Sequence, residues 1–297
     1  AAGEHPTAAD RELLLSYAEW SVDKNTETRA ALDAALVGRV DSPPTLLTVT
    51  AFHNRYLNDL SNDRPEEAIK TASAAERHMA QAKDQLGQLW SGAALAIQTT
   101  KFNHEQSPKA LIGIAELFAE LKLMRHVSSS PSPDWLRDRY YEANAWYSAI
   151  NAFFASEDRA TRDRRRASDI VEDAITDENH THPEDGSPHE VTKLPVCPGD
   201  INRAPRPRYP DVAASDGYVG SVIIVYNVDE AGKLNPRVAA SVPTDIFDEA
   251  ALKSVERLRW KWEDPEPDAP PCRKQIEEVV QSFEFVLQSS TDIFPSR

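Results

Sequence analysis

Three histidines, His180, His182 and His189, sit among Thr181, Pro183, Glu184, Asp185 and Glu190. Their nitrogen and oxygen donors could hold zinc, copper or nickel. The segment is polar and proline-bearing, so ordering it around an ion would cost much backbone entropy. A solvated linker is the expectation there, with no metal and no cofactor. Two cysteines, Cys197 and Cys272, are the other reactive groups. In an oxidising compartment they would close a long loop and stabilise the fold by about 4 kcal/mol in the chain-entropy model. Two buried free thiols are the alternative, and we expect the disulfide. For catalysis the chain offers no G-x-S-x-G, P-loop, H-E-x-x-H or Rossmann fingerprint. Adjacent carboxylates such as Glu66-Glu67 or Glu277-Glu278 would point to opposite faces of a strand. No histidine stands beside either cysteine as an obvious base, so an enzyme is not expected.

The 297 residues carry a formal net charge of −15, which argues against a general nucleic-acid binder. The same acidity disfavours adsorption to an anionic membrane. No apolar run approaches the ~20 residues needed to span a bilayer as a helix. Arg159, Arg162, Arg164, Arg165 and Arg166 form one basic cluster, but Asp158, Asp163, Asp169, Glu172 and Asp173 recur at neighbouring helical spacings. A solvated helix face is expected there over a phosphate, lipid or cell-wall contact.

Two grammars divide the chain. Through about residue 176 the pattern is helical. Leu86, Leu89, Trp90, Ala93 and Ile97 share a face at period 3.6, as do Leu136, Tyr140, Ala143, Tyr147, Ile150 and Phe154. Ala68, Ala72, Ala75, Met79 and Ala82 make a third stripe; Leu111, Ile114, Phe118 and Leu121 make a fourth. Asp63 and Glu66 around Pro65 resemble a capping box, and Ser107-Pro108 sets a cap before a first-turn proline. Residues 51–76, with Tyr56, Glu67, Ala68 and Ala75, are weakly similar to one tetratricopeptide repeat. Spacing between successive hairpins is irregular, so a plain helical bundle explains the pattern equally well. An aromatic helix carrying Trp135, Tyr140, Tyr141, Trp146, Tyr147, Phe153 and Phe154 either lines a groove or, as we expect, packs as core.

Residues 177–199 lack apolar periodicity and read as a flexible linker. Beyond it come β-branched runs and tight turns. The run from Ser221 to Val228 is apolar on both faces. In the final strand Phe283 and Phe285 oppose Ser282 and Glu284, giving one buried face and one wetter face.

The order of landmarks in this last part is specific. Arg206-Pro207-Arg208-Tyr209-Pro210 is followed by Ala213, Gly217 and Gly220, then Val228-Asp229-Glu230-Ala231-Gly232, then Ser241-Val242-Pro243. Phe247-Asp248-Glu249-Ala250-Ala251 and Arg259-Trp260 complete it. This resembles the C-terminal domain of TonB-family energy transducers over roughly 204–287. The resemblance implies a small antiparallel three-stranded sheet packed on one helix, and hence an α+β chain. The expected domains are 1–176, helical hairpins, tetratricopeptide-like or bundle; 177–199, linker; and 200–297, TonB-like.

By the same resemblance the final strand is an edge that accepts an extended transporter peptide, the TonB box. Here it would comprise Glu278, Val279, Val280, Gln281, Ser282, Phe283, Glu284 and Phe285. Arg206, Pro207, Arg208, Tyr209 and Pro210 would form the lead-in that contacts the transporter, with arginines where glutamines are common. The family's membrane helix and proline-rich spacer are not found in this sequence. The expectation is therefore a periplasmic adaptor, with Ala1-Ala2-Gly3-Glu4 read as the end left by a removed signal peptide. It would bind an outer-membrane TonB-dependent transporter through the edge and a second protein through the helical half. A structural scaffold of the cell envelope that dimerises through the same edge is the alternative.

Overall fold

The computed structural model describes residues 7–79, 87–127, 133–176, 194–201, 206–263 and 270–287. The three histidines, most of the expected linker, and Leu86 and Ala82 lie outside these residues. Among the described residues eight helices come first: α1 (Ala8–Val22), α2 (Thr26–Val37), α3 (Leu46–Ser61), α4 (Pro65–Met79), α5 (Gly87–Glu105), α6 (Pro108–Val127), α7 (Asp134–Ser156) and α8 (Thr161–Thr176). The strand-rich part follows, with β1 (Gly199–Ile201), α9 (Asp211–Ser215), β2 (Gly220–Val228), β3 (Leu234–Val242), α10 (Asp248–Glu256), β4 (Trp260–Trp262) and β5 (Ile276–Phe285). The chain is α+β, as expected. It divides into two compact units, 1–110 and 111–297.

Local chemistry sets the helix starts in the first unit. Thr7 Oγ1 accepts from Asp10 N at 3.1 Å while the Asp10 carboxylate accepts from Thr7 N at 2.9 Å, a reciprocal cap for α1. Asn25 caps α2, and Thr45 and Thr48 cap each other at α3. The expected Asp63 cap is corrected. Pro65 occupies the first helical position, which makes Arg64 the capping residue, and Asp63 turns into the left-handed region at φ 52°. α3 packs beside α4 through Phe52, Tyr56, Ala68, Ala72 and Ala75, all buried. On α5, Trp90, Ala93 and Ile97 are buried, but Leu89 is 44 % exposed; neighbouring residues lie about 100° apart, and the stripe centres on Trp90.

Buried charge also ties this unit together. Arg55 is 1 % exposed and grips the Asp33 carboxylate at 2.8 and 3.1 Å. It also pairs with Asp59, which is fully buried and takes Arg29 at 3.2 Å and Arg64 at 3.3 Å. Desolvating these groups is costly, so the mutual attraction of the whole cluster must offset it.

In the second unit the main sheet has the order β3-β2-β5, antiparallel throughout, and β1 pairs with β4 in a separate two-stranded ribbon. β2 is central. Its Val222, Ile224, Tyr226 and Val228 join Phe247, Ala251, Val255 and Leu258 in one core on the α10 side. Ile223 and Val225 point the other way, into a core with Tyr141 and Ala145 of α7. The sheet is therefore covered on both faces, which is why β2 reads as continuously apolar. The aromatic helix α7 is core rather than groove: Tyr140 and Tyr147 lie against Phe118 of α6 at 5.3 and 5.7 Å while Tyr141 meets the sheet.

Gly232 is required in the β2–β3 turn. It adopts φ +72°, and a Cβ there would collide with the Trp260 carbonyl. Asp229 completes the turn, its carboxylate accepting from Lys233 N at 2.8 Å. Cys197 and Cys272 are disulfide-bonded, with Cα atoms 5.0 Å apart. Backbone bonds from Cys197 N to Arg273 O (2.9 Å) and from Arg273 N to Pro195 O (2.8 Å) continue this clasp at the entrance to β5.

Candidate peptide-docking edge

β5 pairs with β2 alone among the described strands, so one of its rims presents backbone donors and acceptors that no strand there satisfies. The opposite rim of the sheet, on β3, is defended differently. Pro236 is its third residue, opposite Tyr226, and the isolated bridge Lys233–Arg259 leads its start toward β4. β5 carries no proline.

The two faces of β5 are anchored by different layers. Val279, Phe283 and Phe285 pack in the α10 core. Phe285 stacks on Phe247 at 4.3 Å, and Tyr209 meets both rings edge-on at 5.7 and 5.5 Å. Val280 packs in the α7 core. Along the same face the hydroxyls of Ser282 and Ser148 are 3.0 Å apart, and Asn151 Nδ2 donates to Glu284 at 3.2 Å. Past the strand, Leu287 N donates to Ser156 Oγ at 3.0 Å. Desolvation beside α7 raises the Glu284 carboxyl above its ordinary value; the bond from Asn151 and the charge of Arg164 oppose it.

Glu278 opens the edge. Its carboxylate accepts from the Tyr141 hydroxyl and pairs with Arg125 at 3.0 Å and Arg137 at 3.8 Å. Arg125 in turn lies over the rings of Tyr140 and Tyr141, at 4.8 and 5.6 Å. Burial, and then the bond to Glu278, push the Tyr141 hydroxyl well above its ordinary pKa, so it stays a donor.

The structure brings the lead-in to the far end of the edge. Arg206, Pro207 and Tyr209 line, with Glu284, Phe285, Val286 and Leu287, an open cavity of about 540 Å³. Tyr209 is fixed by donating its hydroxyl to the Tyr218 carbonyl. Arg208 points to solvent and pairs with Asp211 at 3.1 Å, and Pro210 leads into α9. The sequence reading placed Tyr141 in a core helix but missed its contact with β5, and missed Ser148, Asn151 and Ser156 of α7 and Arg125 of α6, which touch β5 or Leu287 just beyond it. The available signal was β2 itself, since a strand apolar on both faces demands a second cover.

The remaining chemical candidates are dispersed. Arg159 pairs with Glu157 and Arg164 donates to Asn151, so two of the basic cluster serve local structure. Glu67 pairs with Lys70 and Arg29. Among the described residues no group of three or more histidine, cysteine or acidic side chains could hold a metal, and no helix is long and apolar enough to cross a membrane.

This arrangement defines a small α+β module that anchors both faces of its last strand and, among the described strands, pairs that strand on one rim alone. Residues 205–287 match the family described as the Gram-negative bacterial TonB protein C-terminal, so a TonB C-terminal domain is present. The comparison with curated proteins gives no match to the chain. Helices α1–α8 lie outside the matched residues. The domain suggests a TonB-like protein involved in envelope energy transduction and implies interaction with outer-membrane transporters. Members of the family are non-enzymatic proteins of the envelope or periplasm.

Proposed function

We propose that the protein is a periplasmic TonB-like adaptor that takes a transporter's TonB-box peptide as an added strand on β5, along 278–285. The β5 rim that no described strand pairs with, set against the proline in β3, is the observation that carries the reading. Backbone bonding along the rim supplies affinity, and alternate side chains of the guest select among partners. Arg206, Pro207, Arg208, Tyr209 and Pro210 contact the transporter beside the strand, and the two arginines favour an acidic surface. Within the helical half (1–176), which 177–199 links to 200–297, the helices of the first unit are a second protein-binding module, while α7 serves the sheet. The proposed chain needs no cofactor.

A TonB-box peptide should bind with a dissociation constant on the order of micromolar, because the short guest must be ordered as it docks. Isothermal titration with Val280→Pro and Gln281→Pro tests the mode. One of these two amides faces the guest and the other faces β2, so the variants must differ in binding and in folding. Equal, wild-type-like binding by both would end the strand-addition reading.

An open rim can also pair with its own copy across a two-fold axis, which favours the scaffold as second reading. Sedimentation across concentration separates the two: a tight dimer that ignores the peptide supports self-association, and a monomer that binds it supports the adaptor.

A further inference from the structure

We infer that Glu278 is a positioning residue, a latch through which α6 and α7 fix where the docking edge begins and therefore the register of the guest. The inference rests on the reading of β5 as the docking edge, but its first test does not need a guest.

The β2–β5 ladder pairs Tyr226 with Val279 and Val228 with Ile276, so Asn227 faces two residues, Glu277 and Glu278. This is a β-bulge, and Glu278 adopts the left-handed backbone at φ 58°. A glycine would take that conformation without strain. The chain has a glutamate there instead, and both its ends are held. Its N–H donates to Asn227 Oδ1 at 2.8 Å. Its carboxylate is gripped by Tyr141, Arg125 and Arg137, on the two helices. A strained residue secured from a separate layer is a device for setting position. The bulge interrupts the ladder at 278, so a guest strand can run in regular pairing only along 279–285. The ionic grip couples the helical layer to that starting point.

Hydrogen exchange of the full chain reads the latch directly. Glu278→Gly removes the carboxylate while accommodating the backbone, and amides across 279–285 should exchange about tenfold faster, the loss expected for hydrogen bonds to a charged group. Glu278→Ala should exceed this, because strain remains and the grip is gone. Glu278→Gln, which still accepts from Tyr141, should recover part of the protection. Unchanged protection in Glu278→Gly overturns the proposal. So does an equal loss throughout β3, which marks general destabilisation.

The second readout is register, from a spin-labelled TonB-box peptide and labels placed on β5. One register in the wild type and two in Glu278→Gly support the latch; a single unchanged register in both overturns it. If the peptide fails to bind any of the proteins, the docking reading falls while the exchange result still decides the latch.

Discussion

The ring of Phe285, last residue of β5, stacks on that of Phe247 at 4.3 Å with 18° between their planes. This contact joins the end of the edge strand to the N-cap of α10, and both residues are almost wholly buried. Phe247→Ala and Phe285→Ala should each destabilise the second unit by about 3–5 kcal/mol, from lost transfer energy and the cavity left behind. Urea denaturation followed by tryptophan fluorescence measures it. A double-mutant cycle should return a coupling of about 0.5–1.5 kcal/mol beyond burial. Additive losses would show that the two rings act independently.

Asp59 gives the contrasting case of a charge without water. With Arg29, Arg55 and Arg64 around it, Asp59→Ala leaves buried Arg55 with Asp33 alone and should cost about 3 kcal/mol, the lower end for a broken buried pair. Lys70→Ala, which breaks an exposed pair with Glu67, should leave thermal unfolding almost unchanged. Comparable effects in thermal unfolding would refute the cluster's role.

Acid should loosen the first unit. His78 is fully buried between the Val40 carbonyl (3.3 Å) and the Thr48 hydroxyl (2.7 Å), and desolvation lowers its pKa below the ordinary 6.5. Desolvation lowers His53 as well. The unfolded chain then takes up protons first, so stability is full above 6.5 and is lost as pH falls from there toward the depressed folded values. Protection of the α3 and α4 amides, with exchange rates normalised to the intrinsic rate at each pH, should fall between pH 7 and pH 5. The His78→Gln variant should show a shallower dependence, and an unaltered slope would exclude His78 as its source.

Reduction should weaken the second unit by about 4 kcal/mol in the chain-entropy model, because the disulfide closes a loop of sequence separation 75. Alkylation of the unfolded, unreduced protein should label no cysteine. Label on both cysteines of protein taken from its native compartment would remove the bridge from this account.

Much of the second unit was legible because its signals are local. Gly232 marks a left-handed turn, the spacing Phe247, Ala251, Val255 and Leu258 marks a helix face, and Phe283 and Phe285 share a strand face. What periodicity could not supply was the partner of each surface. The stripe on α7 declares an apolar face, yet nothing in its spacing says that it meets Ile223 and Val225. The bond from Ser221 Oγ to the Ala145 carbonyl, 2.9 Å, joins residues 76 apart in sequence. The bulge at Glu278 was hidden for a related reason. A glutamate is an improbable left-handed residue until the arginines that hold it are brought near by folding.

Pro236 has a consequence for stoichiometry. A ribbon stack with two receptive borders could recruit copy after copy and lengthen without limit. With one border blunted by proline, recruitment should close after a single event, whether the newcomer is a foreign strand or a twin. On the docking reading, the proline that blunts the β3 border makes the protein a one-to-one receiver, and Pro236→Val should be the variant that begins to form higher oligomers in light scattering.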